Sequence, residues 1–407
     1  MVRSRTTRVR KTQTIAAALM VVAGLVAHIA KLAADPLGQP IANLIRVGPG
    51  QRVTAIAEAA KVARDGDTVE IEAGLFTDDV ASWPQDNLTI RAVGGRARIA
   101  SHGASAEDKA IWVIKGTGVL IENIEFTGAR VRDRNGAGIR HEGGKLTVRN
   151  CLFERNEMGI LTWNRDTAEL VVEGSEFRDN AVASDYRAGD AIGHQIYVGS
   201  ISSFTLRDSY VHGGAFGHLV KSRALRNFIF NNRLTDDDAG QASYELEFPN
   251  GGVAYAIGNI IEQSATTHNS DLVSFGAEGF RSRRNELFLV NNTLVDNLAA
   301  NGKFVRVYPG ADRVVAINNL LLGGTGLGAE AQWEVASNHT AAHSDFSSPA
   351  TGDYRLRASS KLVGKAVDPG TANGVSLRLE REYAFPQRGR ILSQGLLSPG
   401  AIQSTVP

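Results

Sequence analysis

One cysteine, Cys151, stands in a chain of 407 residues, so no internal disulfide can form and no redox compartment can be read from thiol chemistry. Charge of one sign is also missing. With 44 Lys and Arg against 43 Asp and Glu, no broad basic face is available for nucleic acid. A phosphate-binding loop, a zinc-spaced Cys/His cluster and a dinucleotide fingerprint are all absent, which removes the commonest nucleotide and structural-metal readings. The excess lies in glycine, with 43 residues, as a fold with many tight corners requires.

Before Asp35 there is no acidic residue at all. Arg3, Arg5, Arg8, Arg10 and Lys11 precede an apolar run from about Thr14 to Ala30, the pattern of an export signal or an N-terminal anchor. Residues 1–34 are read as that segment, with the protein placed in the periplasm or outside the cell and touching a membrane only there. Taking away the six basic residues it contains leaves 38 basic against 43 acidic residues.

From residue 119 one short phrase returns: LIENIEF, TVRNCLF, VVEGSEF, TLRDSYV, FIFNNRL, YAIGNII, FLVNNTL and AINNLL. Its last apolar residue falls at Phe126, Phe153, Phe177, Val211, Leu234, Ile261, Leu294 and Leu321, 23 to 34 residues apart. Three positions earlier stands a turn former: Asn123, Asn150, Gly174, Asp208, Asn231, Gly258, Asn291 or Asn318. Such a period with strand alternation predicts a β-solenoid whose rungs stack ~4.8 Å apart. The asparagines then serve the bends, and Cys151 is a small packing residue at a bend position shared with Ser175 and Ser209.

Four positions before each anchor the character changes, from Glu122, Arg149, Glu173 and Arg207 to Phe230, Ile257, Val290 and Ile317. The later half of that face must therefore be covered, and the C-terminal segment is the available cover. Thr54–Arg64 has helical spacing and would cap the open end of the solenoid. The organisation read from the chain is an N-terminal cap over 35–100, coils over 101–330 and a closing segment over 331–407. A monomer is expected.

The opening GDTVEIEAGLF, the N-x-x-F coils and the closing DYRL and GAIQ resemble the right-handed parallel β-helix, or pectin-lyase-like, superfamily over roughly residues 50–403. The resemblance implies an all-β, single-stranded right-handed parallel β-helix. Its members include polysaccharide lyases, glycoside hydrolases, uronate epimerases and non-catalytic adhesins.

A second set of strands, HQIYVG, HLVKSR, YELEFP, DLVSFG and KFVRVYP, stacks into one outward column of Tyr197, Lys221, Glu247, Ser274 and Arg306. Its expected neighbours are Gln195, Leu219, Glu245, Leu272 and Phe304 on one side, and Gly199, Arg223, Pro249, Gly276 and Tyr308 on the other. His194, His212 and His218 are expected at nearby rung ends, with Asp236 to Asp238 in the next loop. Five of the nine histidines (His141, His194, His212, His218 and His268) fall on adjacent coils. A polar solenoid surface with modest Lys–Glu pairs is the plain alternative.

A polyuronate lyase must neutralise a carboxylate, take the proton beside it and protonate the leaving oxygen, which asks for a cation and for Lys, His or Tyr. VKSRALRNFIFNNRL (220–234) is similar to a segment of the chondroitinase B and alginate lyase family. That likeness implies Lys221 as base and Asn227 or Asn232 as structural or ligand residues. His218 or Tyr197 would be proton-transfer partners, with Arg223 assisting. Substrate contacts are expected from Gln195, His194, Arg306 and Tyr308. Calcium is the one cofactor left open. Glu245 and Glu247 are its candidate ligands, although the family places these acids just before the lysine, where this chain has Phe216, Gly217 and His218. The partner is an acidic polysaccharide. Two further readings stay open: hydrolysis by Glu245 and Glu247, ~6.5–7 Å apart along one strand, and glycan binding without turnover, with Tyr197, Phe304 and Tyr308 stacking on sugars.

Overall fold

The computed structural model describes residues 43–182, 193–237, 240–267, 269–298, 302–386, 388–392 and 397–403; the segment read as an export signal or anchor lies outside them. Among the described residues no helix is long and apolar enough to cross a membrane.

Strand alternation over each repeat phrase produces two strands joined by a bend, one residue long at Asn123 and two residues long in the later coils. Each turn former named above adopts the left-handed conformation there, from Asn123 at φ 64° to Asn318 at φ 60°. Asn, Asp and Gly tolerate that conformation where β-branched residues do not. The apolar residues on either side of the bend, such as Ile121 and Phe126 or Ile229 and Leu234, are fully buried. Successive coils pair in parallel and in register, Phe126 with Phe153, Phe153 with Phe177 and Phe177 with Val211.

Three parallel sheets result, wound as a right-handed β-helix. The first contains Val119–Glu122, Lys145–Arg149 and their successors, and the second Ile124–Thr127, Leu152–Glu154 and theirs. The strands Thr68–Thr77 and Thr89–Ala100 bend through the corner and belong to both. The third sheet has nine strands, from Ala81–Trp83 to Lys303–Val307. Parallel pairing begins at Leu44–Val47, so rungs already form within the stretch read as a cap. The helix there is shorter than its sequence spacing suggests, Ile56–Val62. It buries Ile56, Ala59 and Ala60 over the open end, and Asp79 accepts from the amides of Ile56 and Ala57.

Beside the bends runs an internal amide ladder. Asn232, Asn259, Asn292 and Asn319 each donate to the next Asn side chain, the last acceptor being Asn338, at 2.8–3.0 Å. Asn259 also donates to the carbonyl of Ile229 and accepts from the backbone amide of Asn232. Further back the same positions are Cys151, Ser175 and Ser209, where each backbone amide bonds the following hydroxyl or amide oxygen. Asn259→Ala is expected to cost about 2–4 kcal/mol, because buried donors and acceptors lose their partners on both neighbouring rungs. Denaturant unfolding of the variant measures it.

The expected cover over the later coils is present. Ile257, Val290, Phe288 and Tyr255 pack under Ala372, Leu377 and Leu379 of the C-terminal segment. Across the bend, on the second sheet of these coils, Ile260, Val295 and Leu322 pack under Phe346, Tyr354 and Tyr383, while the first sheet differs along its length. In the earlier coils the same face is open, and Arg149 bridges Glu122 and Glu173 at 2.7 and 3.0 Å. The third sheet carries no such cover among the described residues.

Candidate active site on the third sheet

The outward column read from the sequence forms in the expected register: Tyr197 pairs with Lys221, Lys221 with Glu247, Glu247 with Ser274 and Ser274 with Arg306. The Lys221 ammonium lies 3.0 Å from Glu247 and 2.9 Å from Glu278. The Nε2 of His218 is 3.1 Å from Glu247 and 3.5 Å from the Lys221 Nζ. Arg223 donates to the Tyr197 hydroxyl at 2.6 Å and to Glu278 at 2.7 and 2.8 Å. Its guanidinium lies 5.0 Å from the Tyr197 ring centre. His194 stacks on His218, and its Nδ1 accepts from the His218 backbone amide. Two rungs beyond Glu247, Arg306 pairs with Asp271 at 3.1 Å and covers the Tyr308 ring.

Burial sets the charge of this cluster. It pulls His218 below the usual imidazole range, against the bond from Glu247 and with the positive charges of Lys221 and Arg223. His194 is pulled further down, by burial first and then by His218, Lys221 and Arg223 beside it. Burial raises Glu247, but His218 and Lys221 outweigh it and the carboxyl is held below its ordinary range. Glu278 is lowered in the same balance, with Arg223 and Lys221 outweighing its partial burial. At neutral pH the strip therefore holds two carboxylates and neutral imidazoles.

Several expected members stand elsewhere. Gln195 is buried; its side-chain oxygen accepts from Asn180 and its amide donates to the carbonyls of Asn180 and Gly213. Leu219, Leu272 and Phe304 of the same column are fully buried, so Phe304 cannot stack on a sugar. The reason is the corner: the chain turns into the third sheet at these positions, and strand alternation does not carry through the bend. His212 belongs to the second sheet, between Asp237 and Glu176. His141 is buried, and desolvation brings its imidazole to about 4. His268 and Asp238 lie outside the described residues. Asn227 and Asn232 are buried and bonded within the fold, Asn227 to Ser222 and Ala224.

Glu245 sits at that corner, fully buried, with both carboxylate oxygens lacking a hydrogen-bond donor. Around it Asp236, Gln263 and Asp296 each present one more buried oxygen without a donor. Burial, reinforced by Asp236 and Asp296, pushes Glu245 well above the usual carboxylate range, and burial brings Asp236 up to about 7. The pair expected to hold calcium therefore does not fit it. Glu245 is sealed inside, while Glu247 is committed to Lys221 and His218. Among the described residues no three His, Cys, Asp or Glu side chains gather as a metal site requires. Nor do Glu245 and Glu247 face one opening, as a hydrolytic pair must.

Two contributors went unread in the sequence. Glu278 lies on the turn after Asp271–Phe275, outside any repeat phrase. Trp163 is 56% exposed, whereas Trp333 is buried. Trp163 stands two residues past Leu161, the partner of Tyr197, and so belongs to the column that continues through Gly199 and Arg223 to Tyr308. The Arg140 guanidinium lies 5.2 Å from its ring centre.

The nine-stranded third sheet is left open along one side of the coil, and solved structures contain the same architecture. The chain is similar to pectate lyase Pel9A. The crystal structure of that protein matches with a TM-score of 0.60 at 14% sequence identity, covering 89% of this chain and 97% of the other. At that identity the likeness is one of fold, the right-handed parallel β-helix. No protein-family model and no curated protein matches the sequence.

Proposed function

We propose that this protein is exported and cleaves an acidic polysaccharide by β-elimination on the open face of its third sheet. The observation that carries the reading is the convergence of Lys221, His218, Tyr197 and Arg223 on adjacent rungs, within 3.5 Å of a neighbour in each case. Lys221, once its ammonium has released a proton to solvent, takes the proton beside the uronate carboxylate. The released electron pair forms the new carbon–carbon double bond, and the bond to the leaving sugar oxygen breaks. Tyr197 protonates that oxygen. Its own oxygen already accepts from Arg223, which leaves the hydroxyl proton free to point outward. Arg223 and Arg306 hold carboxylates of the chain. The likeness to a pectate lyase is consistent with this chemistry but supports it only through the fold.

Incubating the protein with pectate, alginate and chondroitin sulfate, and following the ultraviolet absorbance of the conjugated unsaturated uronate, tests the reading. Absorbance from at least one polymer is expected. Release of reducing ends without it would sink β-elimination.

Six rungs separate Trp163 from Tyr308 inclusive, about 24 Å at the spacing of β-strands. An extended chain of pyranoses advances by about one sugar per rung, so Trp163 would stack on a sugar several units from the cleaved bond. Trp163→Ala is expected to weaken binding of hexamers about three- to tenfold and leave trimers unchanged. Titration of the two lengths against both proteins checks this.

A further inference from the structure

The two cations at the centre of the strip share one partner that no repeat phrase supplies. The Glu278 carboxylate receives both Lys221 and Arg223, and it is exposed while they are nearly buried, with side chains 12% and 16% exposed against 38% for Glu278. It therefore lies on the solvent side of the pair. The turn that carries it is fixed. The Glu278 amide donates to the Pro249 carbonyl and the Arg281 amide to Asn250, while the Asn250 side chain donates to Gly279. Gly276, at φ +92°, leaves no room for a Cβ against the Phe280 ring that packs over it. The backbone stays in place, so the side chain alone would swing aside.

We propose that Lys221 and Arg223 form the subsite for the carboxylate of an acidic sugar, and that Glu278 fills this subsite in the free protein and is displaced when the sugar binds. The inference rests on the acidic-polysaccharide reading above. A carboxylate presented on the solvent side of a Lys–Arg pair is the group that a uronate would present there, with the same two oxygens and the same charge. Glu247 is not a competitor of this kind, because it reaches Lys221 from the buried side, 3% exposed, and belongs also to His218. The arrangement sets specificity. A neutral sugar cannot replace a carboxylate between two cations, so the site stays closed to it. A uronate exchanges one charge-assisted contact for another. Displacement also leaves the Lys221 Nζ with Glu247 and His218 as its remaining partners beside the sugar.

Binding of oligogalacturonate and oligoalginate tetramers, and of a neutral cello-oligosaccharide of equal length, is measured by calorimetry for the wild type, Glu278→Gln and Glu278→Asp. Thermal unfolding of all three confirms the fold. Glu278→Gln should bind an acidic tetramer about tenfold more tightly, the factor lost by a site open one-tenth of the time. Glu278→Asp, too short to reach both cations, should gain part of that factor. Acidic tetramers bound equally well or more weakly by Glu278→Gln than by the wild type would overturn the displacement alone. No binding of either acidic tetramer by any of the three proteins would overturn the acidic-polysaccharide reading and the inference with it.

Discussion

Asp236→Asn and Glu245→Gln proteins unfold at higher denaturant concentration than the wild type at pH 8, and the advantage shrinks as the pH falls toward 4. The cause is the sealed corner of the third sheet. Asp236, Glu245, Gln263 and Asp296 leave five buried oxygens without a donor there, and an acceptor-only set is satisfied only by protons on the acids. With its folded value at about 7 against an ordinary 3.8, Asp236 keeps a proton that the unfolded chain has lost. Between those values the native state binds more protons than the unfolded one, so this group's stability is full below about pH 4 and lost by about pH 7. The loss is on the order of 4 kcal/mol. Glu245, raised well above its usual range, extends the decline to higher pH.

The buried histidines pull the other way. His141, His194 and His218, held neutral by burial, make stability rise with pH up to the ordinary imidazole value. The two amide variants isolate the acids from that background. Each amide is isosteric and supplies the missing donor, and Asn at 236 can still accept from the Ala242 amide as Asp236 does. Guanidinium unfolding at pH 5, 7 and 9 measures the effect. Variants that track the wild type at every pH would show that these acids are not protonated in the fold.

Lys221→Ala abolishes turnover, by about 10²–10⁴-fold if the amine serves as the base, while leaving the coil folded. Glu247 then keeps only His218 as its partner, and the imidazole loses the nearby positive charge that helps to depress it. His218 should therefore titrate at higher pH in the variant, which nuclear magnetic resonance of the ring protons reads directly. A merely structural lysine would shift stability without removing turnover. His218→Ala, by contrast, should lower the rate less, because Tyr197 with Arg223 remains able to pass the proton.

The repeats made most of the architecture readable, for physical reasons. A coil that must bury the same face on every turn repeats its anchors, as Phe126, Phe153 and Phe177 do. A bend that needs left-handed backbone repeats Asn, Asp or Gly, as at Asn123, Asn150 and Asp208. The switch from Glu122 and Arg149 to Ile257 and Val290 on the outer face likewise announced the C-terminal cover. Parity along a strand gave the Tyr197, Lys221, Glu247 and Arg306 column correctly. It failed at Gln195, Glu245 and Phe304 because these residues sit where the chain turns a corner, and a two-residue period does not count through a bend. Glu278 was hidden for another reason. It lies 57 residues from Lys221 on a turn without periodicity, and only closure of the coil brings the two to 2.9 Å. Trp163 likewise lies outside every repeat phrase, and its exposure follows from its rung on the open face of the third sheet.

The most direct test of the account is the mass of what the protein releases from an acidic polysaccharide. Full-length wild-type protein and Lys221→Ala are incubated with each polymer, and the oligosaccharides are weighed. The account predicts wild-type products lighter by one water than their hydrolytic counterparts, carrying an unsaturated end, and none from Lys221→Ala. Products of full hydrolytic mass, or unsaturated products formed equally well without Lys221, would contradict it.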